Sequence, residues 1–378
     1  MRVALVSETY PPEINGVALT VANMADGLHA LGHQVVIVRP RQAKGRLAHD
    51  DEHEHLTTPG VRIPGYQGLR VGLPCLVRLC RAWLRQRPDV VYVATEGPLG
   101  WAALRVAKRL SIPVCSGFHT RFDEFAGHYG LGLAAPLASR YLRRFHNHTA
   151  STLVPTLELQ AWLANQGYQR VDILQRSVDL SRFHPSHRCE ALRQKWGVDE
   201  QTPVVIYVGR TAAEKDLDLT VEAFERFRQH QPQARMVWVG DGPKRPCLQS
   251  AHPDHIFTGA LSGAELSRAW ASADVFVFTS CTETFGNVTL EALASGLAIV
   301  AYNYAAAALT IRHGDNGLLA AKGDAPALLA QCQRLAGDDR LRSQLRRQAR
   351  CSVAHLSQQH VSERLALLMT SLIEETPA

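Results

Sequence analysis

The hydrophobic pattern of this chain runs through once and then starts again. Short β-type runs at Arg2-Val3-Ala4-Leu5-Val6, Gln34-Val35-Val36-Ile37-Val38, Asp89-Val90-Val91-Tyr92-Val93, Val114-Cys115 and Val171-Asp172-Ile173-Leu174 alternate with helical patterns. Val17, Val21, Met24, Leu28 and Leu31 recur at spacings of four and three, the period of one helical face, and Gly32 closes that helix. After Phe183-His184-Pro185 and a polar stretch reaching Pro203, the alternation resumes. Val204 to Gly209 reads as a strand, Leu217 to Phe227 as a helix, Arg235 to Gly240 and Asp274 to Phe278 as strands, and the tail from about Asp324 as helical. Strands that are apolar throughout and separated by helices belong to parallel sheets covered on both faces. At 378 residues the chain also exceeds what one core usually fills. The expected class is α/β, with two Rossmann-like, doubly wound parallel-sheet domains. We place these at residues 1–186 and 187–355, with a linker near 185–200 and ligands at strand C-termini facing a cleft.

Composition narrows the class further. Hydrophobic residues make up 46% and charged residues 20%, without a low-complexity tract, a repeat or an apolar run long enough to span a bilayer. The N-terminus enters a strand at once, so no secretory signal is expected. Eight cysteines at 75, 80, 115, 189, 247, 281, 332 and 351 contain no CxxC pair, which suits reduced thiols in a cytoplasmic compartment. Charge is lopsided: residues 1–186 hold 21 Lys and Arg against 14 Asp and Glu, and the rest 20 against 21, so the net +6 arises entirely in the first half. That half is expected to meet an anionic surface. Nucleic acid fits poorly, because no recognition motif is present and the 7% of aromatic residues form no stacking cluster. As a helix, Cys75 to Arg87 puts Arg78, Arg81 and Arg85 on one face and Cys75, Leu76, Leu79, Cys80, Trp83 and Leu84 on the other. Arg140, Arg143 and Arg144 form a second basic group. Periodicity alone favours ordinary packing of such a helix, whereas the charge excess points to salt-sensitive docking on an anionic surface, which could be a membrane or an acidic substrate.

Chemistry concentrates in Thr282-Glu283-Thr284-Phe285-Gly286-Asn287-Val288-Thr289-Leu290-Glu291 and the Ala292 to Gly296 segment that follows. Glu283 and Glu291 flank Phe285, Gly286, Asn287 and Val288 at a helix start, where unpaired N–H groups attract phosphate and Gly286 admits close approach. Carboxylates on either side accept hydrogen bonds from sugar hydroxyls. Taken singly, the two glutamates read as an ordinary surface helix. Gly209-Arg210-Thr211-Ala212-Ala213-Glu214-Lys215 follows a buried-type strand, and Arg210 offers a planar fork and Lys215 a mobile charge for a phosphate. Alone it reads as a solvated helix start. Asp216-Leu217-Asp218 spells a DxD pattern but falls where aspartates cap a helix, so we expect no catalytic metal and no cofactor. Asn15-Gly16 opens the first helix, and Phe118-His119-Thr120 follows a strand and so also ends at the expected cleft.

These segments, in this order from residue 2 to at least Gly323, resemble the retaining glycosyltransferases of family 4. The resemblance implies the GT-B fold, with a final helix of about 356–378 packed back on an acceptor-binding N-terminal domain and a nucleotide-sugar-binding C-terminal domain. It implies transfer of a hexose from a nucleoside diphosphate sugar, GDP-mannose or a UDP-hexose, to a hydroxyl. Arg210 and Lys215 would clamp the diphosphate, Glu291 would hold the ribose, Glu283 would hold the transferred sugar, and His119 would stand beside it. Gly16 would lie near the diphosphate and the acceptor. Within the family the chain is most similar to bacterial lipid glycosyltransferases, including GDP-mannose-dependent mannosyltransferases and glycosyl-diacylglycerol synthases, which implies a membrane lipid acceptor. Arg176-Ser177-Val178-Asp179 resembles the family's hinge, with Ser177 where glycine is usual. A GT-B-type nucleotide-sugar epimerase, or transfer to a soluble acceptor, remains the alternative.

Overall fold

Each half of the chain builds its own parallel sheet. The structure, a computed structural model, describes residues 1–13, 15–41, 53–62, 70–119, 135–283 and 285–376. It divides into a first unit of Met1–Ser177 with Gln358–Ala378, and a second unit of Val178–Ser357.

In the first unit, β1 (Arg2–Val6), β2 (Gln34–Pro40), β3 (Glu54–Thr58), β6 (Val90–Val93), β7 (Val114–Gly117), β8 (Ser151–Val154) and β9 (Val171–Ile173) pair in the order β3-β2-β1-β6-β7-β8-β9. Every pairing is parallel. A small antiparallel pair, β4 (Gly60–Arg62) and β5 (Arg70–Gly72), stands apart. Side chains alternate along β1: Val3 and Leu5 pack with Val21, Met24 and Leu28 of the helix Gly16–Ala30. Ala4 and Val6 face Leu79 and Trp83 of the helix Leu76–Arg85 and Leu99 of the helix Pro98–Arg109. The helix Gln358–Glu374 adds Leu365 and Met369 to the first of these layers. Its close approach depends on Gly27, where a Cβ would stand 1.8 Å from Ser362 Oγ.

The order reverses between β1 and β6, and Glu8 ties the two sides of that reversal. Its amide donates to Thr95 Oγ1 at 2.9 Å, and its Oε1 accepts the Leu99 amide at 3.0 Å, at the start of the helix Pro98–Arg109. Burial raises the Glu8 carboxyl to about 7, against backbone hydrogen bonds from Leu99 and Gly72, and the nearby Glu96 adds to the rise.

In the second unit, β10 (Val204–Val208), β11 (Arg235–Val239), β12 (Ile256–Gly259), β13 (Val275–Phe278), β14 (Ala298–Tyr302) and β15 (Leu318–Ala320) pair in the order β12-β11-β10-β13-β14-β15. All are parallel. Val204, Ile206 and Val208 enter one core layer, Val205 and Tyr207 the other. The unit begins before the linker expected near 185–200. Val178 N donates to Leu356 O at 2.9 Å, Arg350 holds the carbonyls of Leu180 and Phe183 at 2.9 and 2.8 Å, and the Phe183 ring joins the core.

At the N-terminal end of this sheet Asp274, 5% exposed, gathers three guanidiniums: Arg346 at 2.8 Å, and Arg188 and Arg193 at 3.2 Å each. It also accepts the Val204 amide at 2.9 Å. One carboxylate thereby fastens β10, β13 and two helices.

Two outcomes follow. Asp274→Ala leaves the buried Arg193 and the half-buried Arg188 and Arg346 without their counter-ion and is expected to destabilise the protein by about 3 to 5 kcal/mol in urea unfolding; a loss below about 1 kcal/mol would show that the cluster is solvated. For Glu8, a folded pKa above the unfolded value means that folding favours the neutral carboxyl. Its contribution is complete below the unfolded value of 4.5 and is lost as pH rises through about 7. Glu8→Gln should therefore gain stability relative to wild type as pH rises from about 4.5 to 8, by at most about 3 kcal/mol and less for the exposure Glu8 retains. Parallel pH profiles for the two proteins would refute the assignment.

Candidate functional site

In the second unit the order reverses between β10 and β13, so the loops leaving these strands turn apart and open a crevice at their C-terminal ends. Arg210 and Lys215 lie on the first loop, Glu283 to Val288 on the second and the helix it feeds. Tyr207 donates from its hydroxyl to Arg210 O at 3.0 Å, and Arg210 Nη1 stands 3.6 Å from Glu214 Oε1. The chain then makes one 3-10 turn, Ala213–Lys215, and passes through Asp216 in the left-handed region at φ 50° to begin the helix Leu217–Arg228. Thr279, just past β13, holds this unusual turn: its Oγ1 lies 3.2 Å from Lys215 O, 3.0 Å from Asp216 O and 2.8 Å from Thr220 Oγ1. Thr282 Oγ1 adds a bond to Glu214 O at 2.9 Å.

Fastened in this way, the two loops bring Lys215 Nζ onto Glu283 Oε1, with the side chains 19% and 15% exposed. Tyr304 donates to Glu283 O at 2.5 Å, and Lys322 Nζ stands 3.6 Å from the centre of the Tyr304 ring. Gly286, at φ 83°, is the N-cap of the helix Asn287–Ala294 and supplies no side-chain cap. The first N–H groups of that helix, from Asn287 onward, point out of its start. Phe285 is buried in the core and Val288 packs against it, so these two residues offer backbone rather than side chain. Glu291 accepts from Trp270 Nε1 at 3.0 Å. Burial holds its carboxyl above the ordinary range, with the indole bond and Arg182 pulling the other way.

The first unit places the remaining predicted residues. Asn15 caps the helix Gly16–Ala30, its Oδ1 accepting Ala18 N at 2.9 Å while its Nδ2 donates to Thr9 Oγ1 at 2.6 Å. Gly16 begins that helix, and a Cβ there would meet nothing within 4 Å. His119 is 9% exposed, its Nδ1 facing Arg176 Nη2 and its Nε2 standing 2.9 Å from the Tyr92 hydroxyl. Burial pushes its pKa well below the usual histidine value, and the charges of Arg176 and His146 push in the same direction. Ile14, Thr120 and Thr284 of the sequence motifs lie outside the described residues.

Arg78, Arg81 and Arg85 are exposed on the helix Leu76–Arg85, as expected, but its apolar face is narrower than the periodicity suggests. Only Leu79 and Trp83 are buried, one turn apart, whereas Leu76 is 40%, Val77 63% and Leu84 67% exposed. This ten-residue helix buries one stripe against the sheet and the helix Pro98–Arg109 and leaves its flanking apolar residues among the arginines. Arg140, Arg143 and Arg144 are exposed on the helix Ala135–His146 beside Leu137 and Tyr141, with Arg143 Nη1 bound to Gln166 O at 3.1 Å.

Sequence reasoning missed Thr279, Trp270, Tyr304 and Tyr92, and quoted Arg176 without giving it a role. Their partners are distant in sequence, and only Arg176, adjoining Ser177 in a quoted motif, carried a local signal.

Comparison with known proteins identifies the family and the fold. Residues 14–182 match the family described as Glycosyltransferase Family 4, and residues 202–338 that described as Glycosyl transferases group 1. A GDP-mannose-dependent alpha-mannosyltransferase of Mycobacterium tuberculosis is 39% identical over 80% of this chain and 79% of its own. An alpha-monoglucosyldiacylglycerol synthase of Acholeplasma laidlawii is 30% identical over 86% of each chain. Among solved structures, Anabaena HepE in complex with UDP superposes with a TM-score of 0.79 over 98% of this chain and 100% of its own, at 17% identity, a likeness of fold. With two parallel Rossmann-like sheets, the arrangement of GT-B glycosyltransferases, and with relatives of this identity and coverage, the chain belongs to glycosyltransferase family 4 and is a glycosyltransferase.

Proposed function

We propose that the enzyme transfers a hexose, with retention at the anomeric carbon and without a metal, from GDP-mannose or a UDP-hexose to a hydroxyl of a membrane lipid such as diacylglycerol. The observation that carries the donor half is the Lys215–Glu283 pair beside the Gly286-capped helix start, at the reversal of strand order. Arg210, Lys215 and the N–H groups from Gly286 to Val288 would stabilise the charge growing on the departing diphosphate, where fixed dipoles count most. The diphosphate would take over Lys215 from Glu283, leaving that carboxylate to accept sugar hydroxyls and aim the anomeric carbon. Glu291 would hold the ribose. Gly16 would lie near the diphosphate and the acceptor, and His119 beside the transferred sugar. The names of the relatives, a GDP-mannose enzyme and a diacylglycerol glycoside synthase, support both halves of the reading.

The acceptor half rests on the surface of the first unit, where Arg78, Arg81 and Arg85 alternate with exposed Leu76, Val77 and Leu84. Cations near an anionic leaflet contribute roughly 1 kcal/mol each, and the leucines and valine can enter the headgroup boundary. Among the described residues no helix is long and apolar enough to cross a membrane. We therefore propose peripheral attachment at the inner face of the cytoplasmic membrane.

Calorimetry with GDP and UDP tests the donor site. Arg210→Ala and Lys215→Ala should each weaken binding of the preferred nucleotide by about 1.5 to 3 kcal/mol, Glu291→Gln should weaken it too, and Glu283→Gln should not, although it lowers kcat for transfer. Unchanged affinity in both cation variants would remove the clamp. Transfer to a lipid extract should survive EDTA and keep the donor's anomeric configuration by NMR; donor turnover without acceptor would instead indicate an epimerase.

Vesicle sedimentation tests the surface. The protein should pellet with anionic liposomes, less at high salt and less after Arg78, Arg81 and Arg85 become Gln, with residual binding reduced further by Val77→Ser and Leu84→Ser. Equal recovery with neutral and anionic vesicles would favour a soluble acceptor.

A further inference from the structure

We propose that Arg176 is a positioning residue that locks His119 as a neutral imidazole carrying its one proton on Nε2, directed at the Tyr92 hydroxyl. The inference rests in part on the reading above, which sets His119 beside the reacting sugar, but the geometry stands by itself. A guanidinium has donors and no acceptor. Arg176 Nη2 faces Nδ1, so Nδ1 presents its lone pair and the ring proton sits on Nε2. The Tyr92 oxygen, 2.9 Å from Nε2, then accepts. The other tautomer would set an N–H against a guanidinium N–H, and an imidazolium would do the same with an added positive charge.

Among the described residues the surroundings enforce this arrangement. Tyr92 comes from β6, Arg176 from the segment after β9, and Gly117 from the end of β7. A Cβ at Gly117 would stand 2.1 Å from the Tyr92 oxygen and 2.3 Å from His119 Nε2, so only glycine leaves room for the pair. Tyr92 is wholly buried, Arg176 is 8% exposed, and Cys115 on β7 is buried near the phenol. His146, on the helix Ala135–His146, is the other titratable ring facing His119. The carboxylate closest to balancing the group, Glu96, stands 3.1 Å from His146 Nε2. Burial lowers the Arg176 pKa, and Tyr92, which takes a hydrogen bond from it, works against that cost. No carboxylate contacts the His119 ring among the described residues, so nothing there favours a second proton.

Both ring nitrogens are thus engaged by the protein, and His119 serves as an oriented neutral ring rather than as a proton carrier. It follows that transfer has no acid limb arising from this histidine.

The test is the tautomer itself. Long-range proton–nitrogen spectra of the full-length enzyme, with the His119 ring identified by its loss in His119→Asn, should show the Nε2–H neutral pattern unchanged from about pH 5 to 8. Arg176→Met frees Nδ1 while burial still disfavours a second proton, so the Nδ1–H form should appear beside the Nε2–H form in the spectra. Arg176→Lys, also a pure donor, should restore the single Nε2–H pattern. A wild-type ring in the Nδ1–H form, or one that gains a proton near its ordinary pKa, overturns the lock and needs no variant to fold. The spectra also separate this inference from the functional reading: a locked ring with normal kcat in His119→Asn would support the lock and discard the histidine's place at the reaction.

Discussion

The right-handed crossover of parallel strands governs where this protein can do chemistry. Successive strands on one side of β10 send their helices to one face of the sheet, and those beyond β13 send theirs to the other. The two loops at the reversal diverge, and backbone groups are left facing a crevice instead of each other. All that the second unit offers a ligand follows from this: the cations after β10, the carboxylate after β13 and the glycine-capped helix start. The first unit repeats the reversal between β1 and β6, and there the protein closes the gap with Glu8. A carboxyl that accepts a helix N–H and titrates near 7 is a tie whose strength depends on its protonation.

The sheets were legible in sequence because their central strands are buried on both faces and appear as unbroken apolar runs. Val204–Val208 and Val275–Phe278 are buried throughout and were read directly. Ile256–Gly259 lies at an edge, partly exposed, with only four residues, and β15 has three; neither length nor alternation separates such segments from a loop. The unit boundary was placed too late for a related reason. Val178, Leu180 and Phe183 are spaced without helical or strand periodicity, and their place in the second core is fixed by Arg350 and by Leu356, which lie far along the chain.

The candidate site divides in the same way. Arg210, Lys215, Glu283 and Gly286 were readable because their chemistry is carried within one short segment each, adjacent to a strand end. Thr279, Trp270 and Tyr304 were not, since a threonine among apolar residues or a tryptophan on an amphipathic helix has an ordinary packing explanation. Only the folded chain shows that Thr279 closes on the Lys215 turn and that Trp270 points its N–H at Glu291. The exposed Leu84 illustrates the opposite error. Helical spacing placed it with Leu79 and Trp83 on the face opposite the arginines, yet the short helix has room to bury one stripe only.

A site of this kind is costly to the domain that carries it. Asp216 occupies a left-handed backbone conformation without being glycine, a strain of order 1 to 2 kcal/mol. Asn287 Oδ1 and Thr289 Oγ1 are buried at the start of the helix Asn287–Ala294 with no hydrogen-bond partner among the described residues, each costing about 1 to 3 kcal/mol. These terms rival the net stability of an ordinary domain. At the other end of the same sheet Asp274 joins three arginines and the first amide of β10. Rigidity is thus concentrated at the N-terminal ends of β10 and β13 and strain at their C-terminal ends, and because the strands are parallel, one well-fastened edge can hold both loops in register at the other.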